Sequence, residues 1–184
     1  MSGSLYHNFT DELSFIKQMA DVLGLSEGGV HAGVVEYSDT AQMAIPFSAG
    51  KNNMGFKKAV DALVCPGGKT RIDYGLNVAW DELFQESNGM RASVPKAVIV
   101  MTDGECNPTC EWRDSPPGRR FREAGYRVIV VAMGTAVNKA ELMPLVADSS
   151  DFHNALDFKE LVTTAFTTSI FHCSDLQRKT YTIY

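Results

Sequence analysis

The 184-residue chain contains no GxGxxG, no Walker A pattern, no HExxH and no EF-hand loop. The sequence signals for dinucleotide, nucleoside triphosphate, zinc-protease and calcium-loop chemistry are therefore missing. It also has no cluster of Lys and Arg. Its 17 basic residues against 22 acidic ones leave a net charge of −5, which argues against nucleic acid as the main partner. The apolar runs at 96–101 and 127–133 hold only five and six apolar residues. A bilayer span needs about 20, so no membrane span is expected. Cysteine is sparse: Cys65, Cys106, Cys110 and Cys173. Four cysteines do not make a dense disulfide framework. Only Cys106 and Cys110 are close, and the histidines are scattered, so a zinc pattern is not completed.

What is present is an ordinary globular composition, 45% hydrophobic and 21% charged, in a length that suits one domain. The spacing predicts a helix over 8–23, capped by Thr10, with Leu13, Ile16, Met19, Ala20 and Leu23 on one stripe. Strands follow at 30–37 and 41–47, close enough for an antiparallel hairpin. A short helix is expected over 56–64, and a loop becoming a helix over 70–84. The runs at 96–101 and 126–133 are continuous enough to be strands buried on both faces, as in a parallel sheet. Between them lie a Pro-containing loop (106–118) and a short helix (119–124). Residues 139–147 read as helical despite Pro144, 151–155 as a weak strand, and 157–171 as the clearest helix. Residues 174–184 are polar and read as a tail or linker. Strands alternating with helices imply an α/β fold, an open, doubly wound, mostly parallel sheet with one antiparallel edge strand. In such sheets ligands bind beyond the carboxyl ends of the strands.

Thr102-Asp103-Gly104 and Gly134-Thr135 stand at those ends, and three segments stand out together: Met1-Ser2-Gly3-Ser4-Leu5 just before the first helix, Gly67-Gly68-Lys69-Thr70, and Met101-Thr102-Asp103-Gly104-Glu105 after a buried strand. Singly each is weak; their order and spacing resemble the von Willebrand factor type A domain, also called the integrin I domain. Val34-Val35-Glu36-Tyr37-Ser38 is similar to that family's second strand, and Val94-Pro95-Lys96 before the apolar run is typical of its extracellular members. The resemblance covers about residues 1–173 and implies a Rossmann-like sheet. It also implies a metal ion-dependent adhesion site. Ser2 and Ser4 would coordinate the metal directly, with Thr70 on the second loop and Asp103 on the third. Oxygen donors suit a hard cation, Mg²⁺, with Mn²⁺ or Ca²⁺ as alternatives. Neutral hydroxyls leave the ion electrophilic, so a partner's Asp or Glu can complete its octahedron.

The family motif opens with an Asp that this chain does not carry, and the strand before it, central in the family's sheet, is missing too. The chain is therefore read as an N-terminally incomplete domain over 1–173, with weak or absent metal binding. The expected function is an extracellular or cell-surface adhesion module that recognises an acidic residue of a protein ligand through Mg²⁺. The alternative is a metal-independent interaction scaffold of the same fold, possibly intracellular. No enzyme is expected: no Gly-rich phosphate loop follows a first strand, and no nucleophile, base and orienter are visible. Cys106 and Cys110 could form a local disulfide, or Cys65 could pair with one of them. The resemblance implies for Cys173 a partner outside the chain. Asn8-Phe9-Thr10 is a glycosylation sequon, Trp80 and Phe84 read as core, and Trp112 reads as an exposed contact residue.

Overall fold

The computed structural model describes residues 4–65, 67–102, 106, 117–133, 137–155 and 180–183. Helix α1 (Ser4–Leu23) leads into the hairpin β1 (Ala32–Tyr37) and β2 (Ala41–Ile45). Then come α2 (Asn53–Asp61), α3 (Ile72–Val78), β3 (Lys96–Thr102), α4 (Pro117–Glu123) and β4 (Arg127–Met133). Helix α5 (Lys139–Leu142), β5 (Phe152–Ala155) and β6 (Thr180–Ile183) complete the order.

The six described strands form one sheet in the order β2-β1-β6-β3-β4-β5. Only β2 runs antiparallel, paired with β1 at the edge; the other neighbours are parallel. One residue of β2 is left over between the pairs Val34–Ile45 and Val35–Met43, a bulge of the kind that bends edge strands. Side chains of β1, β3 and β4 alternate between two buried layers. Val34, Ile99, Met101 and Val131 pack with Ile16 and Met19 of α1 and Phe56 and Val60 of α2. Val35, Val98, Val100 and Val130 pack with Leu76 of α3, Phe121 of α4 and Leu142 of α5. Burying each such aliphatic side chain is worth about 1.5–3 kcal/mol. That double burial is why β3 and β4 read as unbroken apolar runs. Phe84 is buried in the second layer and Trp80 packs against it, edge-on to Phe121 with centroids 5.1 Å apart.

Several expectations are revised. Helix α1 begins at Ser4, so Thr10 lies inside it rather than capping it; residues 4–9 contain no Gly or Pro to halt the extra turn. After α3 the chain passes through a π turn over Ala79–Leu83, where Phe84 N–H donates to Ala79 O at 2.9 Å. Helix α5 is shorter than 139–147 and tightens into a 3₁₀ turn over Met143–Leu145, because Pro144 cannot donate a helical hydrogen bond. The largest revision concerns the supposed tail. Residues 180–183 form β6, which stands between β1 and β3 in the middle of the sheet. Two parallel strands flanking an open lane expose unpaired amides and carbonyls that must find partners. A segment of Thr, Tyr, Thr and Ile, all residues with high strand preference, supplies them. The helix expected over 157–171 lies outside the described residues, as do Cys110, Trp112 and Cys173.

Candidate functional site

β1, β3 and β6 all run toward the same edge of the sheet. The turn after β1 and the loop between α2 and α3 meet there, and the N-terminal half of α1 lies alongside. Together they wall a cavity of about 150 Å³ lined by Phe9, Glu12 and Leu13 of α1, Tyr37 at the end of β1, Ser38 after it, Gly68 to Thr70, and Met101 and Thr102 of β3.

The loop that carries Thr70 is held by its glycines. Gly67 and Gly68 adopt φ of +59° and +107°, a region that a side chain strains to enter. A Cβ on Gly68 would lie 2.5 Å from Asp39 Oδ2, so the loop seats directly against the β1–β2 turn. On its other side Arg71 clamps it. The guanidinium donates to both carboxylate oxygens of Asp73, Nε to Oδ1 at 2.8 Å and a terminal nitrogen to Oδ2 at 2.5 Å. It also lies 3.6 Å from the centroid of the Tyr74 ring. The hydrogen bonds to Asp73 raise the Arg71 pKa above its ordinary value, so the charge is locked on. Asp73 is buried in the first turn of α3, where a carboxylate also suits the helix N-terminus.

Tyr37 ties the strands together at this edge. Its hydroxyl donates to Met101 O at 2.5 Å, from β1 across to β3. Gly75 makes room for the ring: a Cβ there would lie 2.9 Å from Tyr37 Cδ1. Glu36, next in chain, also lines the cavity; its Oε2 accepts from Gln42 Nε2 at 3.0 Å. Glu36 Oε1 is buried and has no hydrogen-bond partner among the described residues.

Of the four residues expected to hold a metal, Thr70 lines this cavity. Ser4 opens α1; Ser2 and Asp103 lie outside the described residues, although Thr102, the neighbour of Asp103, is on the cavity wall. Among the described residues no group of three or more His, Cys, Asp or Glu side chains is arranged to hold a metal ion. Residue patterns had not pointed to Tyr37, Glu36 or the Arg71–Asp73 pair; their signal is position alone, at the carboxyl end of a strand and beside a glycine loop. Cys65 also lines the cavity and is free, which removes it from the pairings the sequence left open, while Cys106 is in a disulfide. The Asn8 sequon falls within α1.

An open, mostly parallel sheet with loops gathered on a cavity at its carboxyl edge defines a Rossmann-like domain. The family follows from sequence comparison: residues 1–167 match the von Willebrand factor type A domain, and the chain belongs to that family. Matrilin-1 of Gallus gallus is 30% identical over 130 residues, covering 71% of this chain and 26% of that protein. Vitrin of Homo sapiens is 25% identical, covering 72% of this chain and 19% of that protein. The chain thus spans about a quarter or less of these relatives' length. Proximal thread matrix protein 1 from the mussel byssus, solved with a zinc-occupied MIDAS (metal ion-dependent adhesion site) motif, superposes with a TM-score of 0.75 at 26% identity. That match covers 86% of this chain and 41% of that one. Manganese-loaded Plasmodium vivax TRAP protein shares the fold, with a TM-score of 0.67 at 17% identity, covering 84% of this chain and 63% of that one. No described helix is long and apolar enough to cross a membrane.

Proposed function

We propose that this domain is an extracellular protein-binding module, not an enzyme, that captures an acidic side chain of a protein partner at a divalent cation. The observation that carries the reading is the convergence of the Thr70 loop and the end of β3 on one cavity at the carboxyl edge of the sheet. The donors there are of the right kind. Thr70 offers a hydroxyl, Asp103 follows Thr102 directly, and the buried Glu36 Oε1 is an acceptor without a partner among the described residues. Hard oxygen donors fit Mg²⁺ or Mn²⁺. Ser2 and Ser4 would complete the protein's share, and the partner's carboxylate would take a remaining position. The MIDAS motif of the mussel relative and the disulfide at Cys106 support the metal and the oxidising compartment respectively.

Isothermal titration of the full chain with Mg²⁺ and Mn²⁺ tests this. Single-site binding is expected, lost in Thr70→Ala at an unchanged melting temperature. Absence of heat with either ion in the wild type would discard the metal and leave a scaffold that binds without one. Equal binding by Thr70→Ala would discard the assigned site.

A further inference from the structure

Among the described residues, four large apolar side chains stay exposed: Val22, Met54, Val64 and Tyr74. Val22 and Met54 stand where the end of α1 meets the start of α2, near the bond from Leu25 N–H to Asn53 Oδ1. Val64 and Tyr74 bracket the loop between α2 and α3 that carries Thr70. Val64 is 77% exposed and Tyr74, in the first turn of α3, is 40% exposed. Scattered apolar residues on a surface need no explanation. Tyr74 differs because it is braced. The Arg71 guanidinium lies 3.6 Å from the centroid of its ring, and Asp73, itself buried, holds that guanidinium through two hydrogen bonds. One face of the ring is therefore covered, and its exposure lies on the remainder. The ring and its support are ordered before any partner arrives, so a partner that packs there does not bear the cost of fixing them. Aromatic rings and guanidinium groups held in this way carry much of the binding energy at protein interfaces.

The place of the ring relative to Thr70 sets what can reach it. Tyr74 is four residues along from Thr70, and a chain of that length spans at most about 14 Å. An extended partner whose carboxylate is held beside Thr70 covers the same distance within about four positions. The charges around the loop are unequal. Lys69 is exposed and makes no ion pair among the described residues, whereas the Arg71 charge is matched by Asp73. The acids of this edge, Glu12, Glu36 and Asp39, stand on α1, on β1 and on the turn after it. On the side of the α2–α3 loop a partner meets Val64, Tyr74 and an unmatched cation, a surface that suits an aliphatic side chain and repels Lys or Arg.

We propose that Tyr74 is a specificity-determining contact beside the cation site. The partner is an extended protein segment with an aliphatic residue about two to four positions from the acid taken at the cation, and that residue packs on the uncovered part of the Tyr74 ring. Resting on the cation site proposed above, this contact selects acidic segments with aliphatic neighbours over acidic segments with basic ones.

The test is an NMR titration of the full chain with three capped heptapeptides, in Mg²⁺ and again in EDTA. Each has a central Asp between two Gly, and its outer positions are all Leu, all Gly or all Lys. In Mg²⁺ the Leu peptide is expected to shift the Tyr74 ring signals and to bind about tenfold more tightly than the Gly peptide, with the Lys peptide weakest. Tyr74→Ala should bring the Leu and Gly peptides level while the thermal melt shows an intact fold. Tyr74→Phe, which keeps the ring, should retain the preference. Equal binding of the Leu and Gly peptides by the wild type, or binding of neither, overturns the proposal; so does a Leu preference that survives Tyr74→Ala. The EDTA arm tells the two sites apart. Gly-peptide binding that needs Mg²⁺, with no Leu preference, keeps the cation site and removes Tyr74. A Leu preference that persists in EDTA and is lost in Tyr74→Ala keeps the Tyr74 contact and removes the cation.

Discussion

Tyr37→Phe isolates the contact that joins β1 to β3 at the binding edge. The substitution keeps the ring against Gly75 and removes only the hydroxyl that donates to Met101 O at 2.5 Å. A net intramolecular hydrogen bond is worth about 1 kcal/mol, and leaving a buried acceptor short adds part of its desolvation cost of about 1–3 kcal/mol. Met101 is 4% exposed, so some of that second cost applies; its carbonyl has a second lone pair, so not all of it does. The expected loss is about 1–2 kcal/mol, or about 2–8 °C in melting temperature for a chain of this size. Urea denaturation should show a lower midpoint at unchanged slope. Gly75→Ala probes the same contact from behind, because its Cβ would crowd the ring at 2.9 Å. If it acts by pushing the hydroxyl off Met101, its cost should shrink by at least about 0.5 kcal/mol in the Tyr37→Phe background. A wild-type midpoint for Tyr37→Phe, or strictly additive losses in the double variant, would refute the reasoning.

Two further outcomes follow from the same geometry. Asp73→Asn leaves the Arg71 guanidinium without its bidentate partner beneath the Thr70 loop. Breaking a fully buried pair costs about 3–5 kcal/mol. Arg71 is 17% exposed, so a loss of about 2–3 kcal/mol is expected, and a loss below about 1 kcal/mol by urea denaturation would mean the clamp is solvated. His153 should make stability pH-dependent. Burial lowers its pKa below the usual 6.5, the Asp151 carboxylate opposes that, and the Arg127 cation adds to it. The unfolded chain then binds a proton at a higher pH than the folded one, so stability is full above about pH 6.5 and falls as pH drops through the folded value. Denaturation midpoints for His153→Asn should lose that part of the slope between about pH 7.5 and 5. An unchanged slope would show that the imidazole is not buried in solution.

The local patterns of this sequence were enough to determine most of the layered architecture. Val98, Ile99 and Val100 in succession require burial on both sides, and that alone implies helices on both faces of a parallel sheet. The short spacing between β1 and β2 leaves room only for an antiparallel hairpin. The carboxyl ends of the strands could be placed at one edge because parallel strands share a direction, whereas the loop at Gly67 and Gly68, which joins α2 to α3, was placed there only by the resemblance to the von Willebrand factor type A family. Tertiary structure decided what these patterns leave open. Thr180–Ile183 has the composition of a strand, but four residues bounded by polar ones carry no information about which neighbours they meet; only two flanking strands lacking a partner make that segment central. Arg71 and Asp73 are two ordinary charges in sequence and become a clamp because α3 buries one against the other. Tyr37 reads as the last residue of a strand. Its bond to Met101 exists because Gly75 lets α3 come close to the ring and β3 brings its carbonyl across, and both conditions depend on residues distant in the chain.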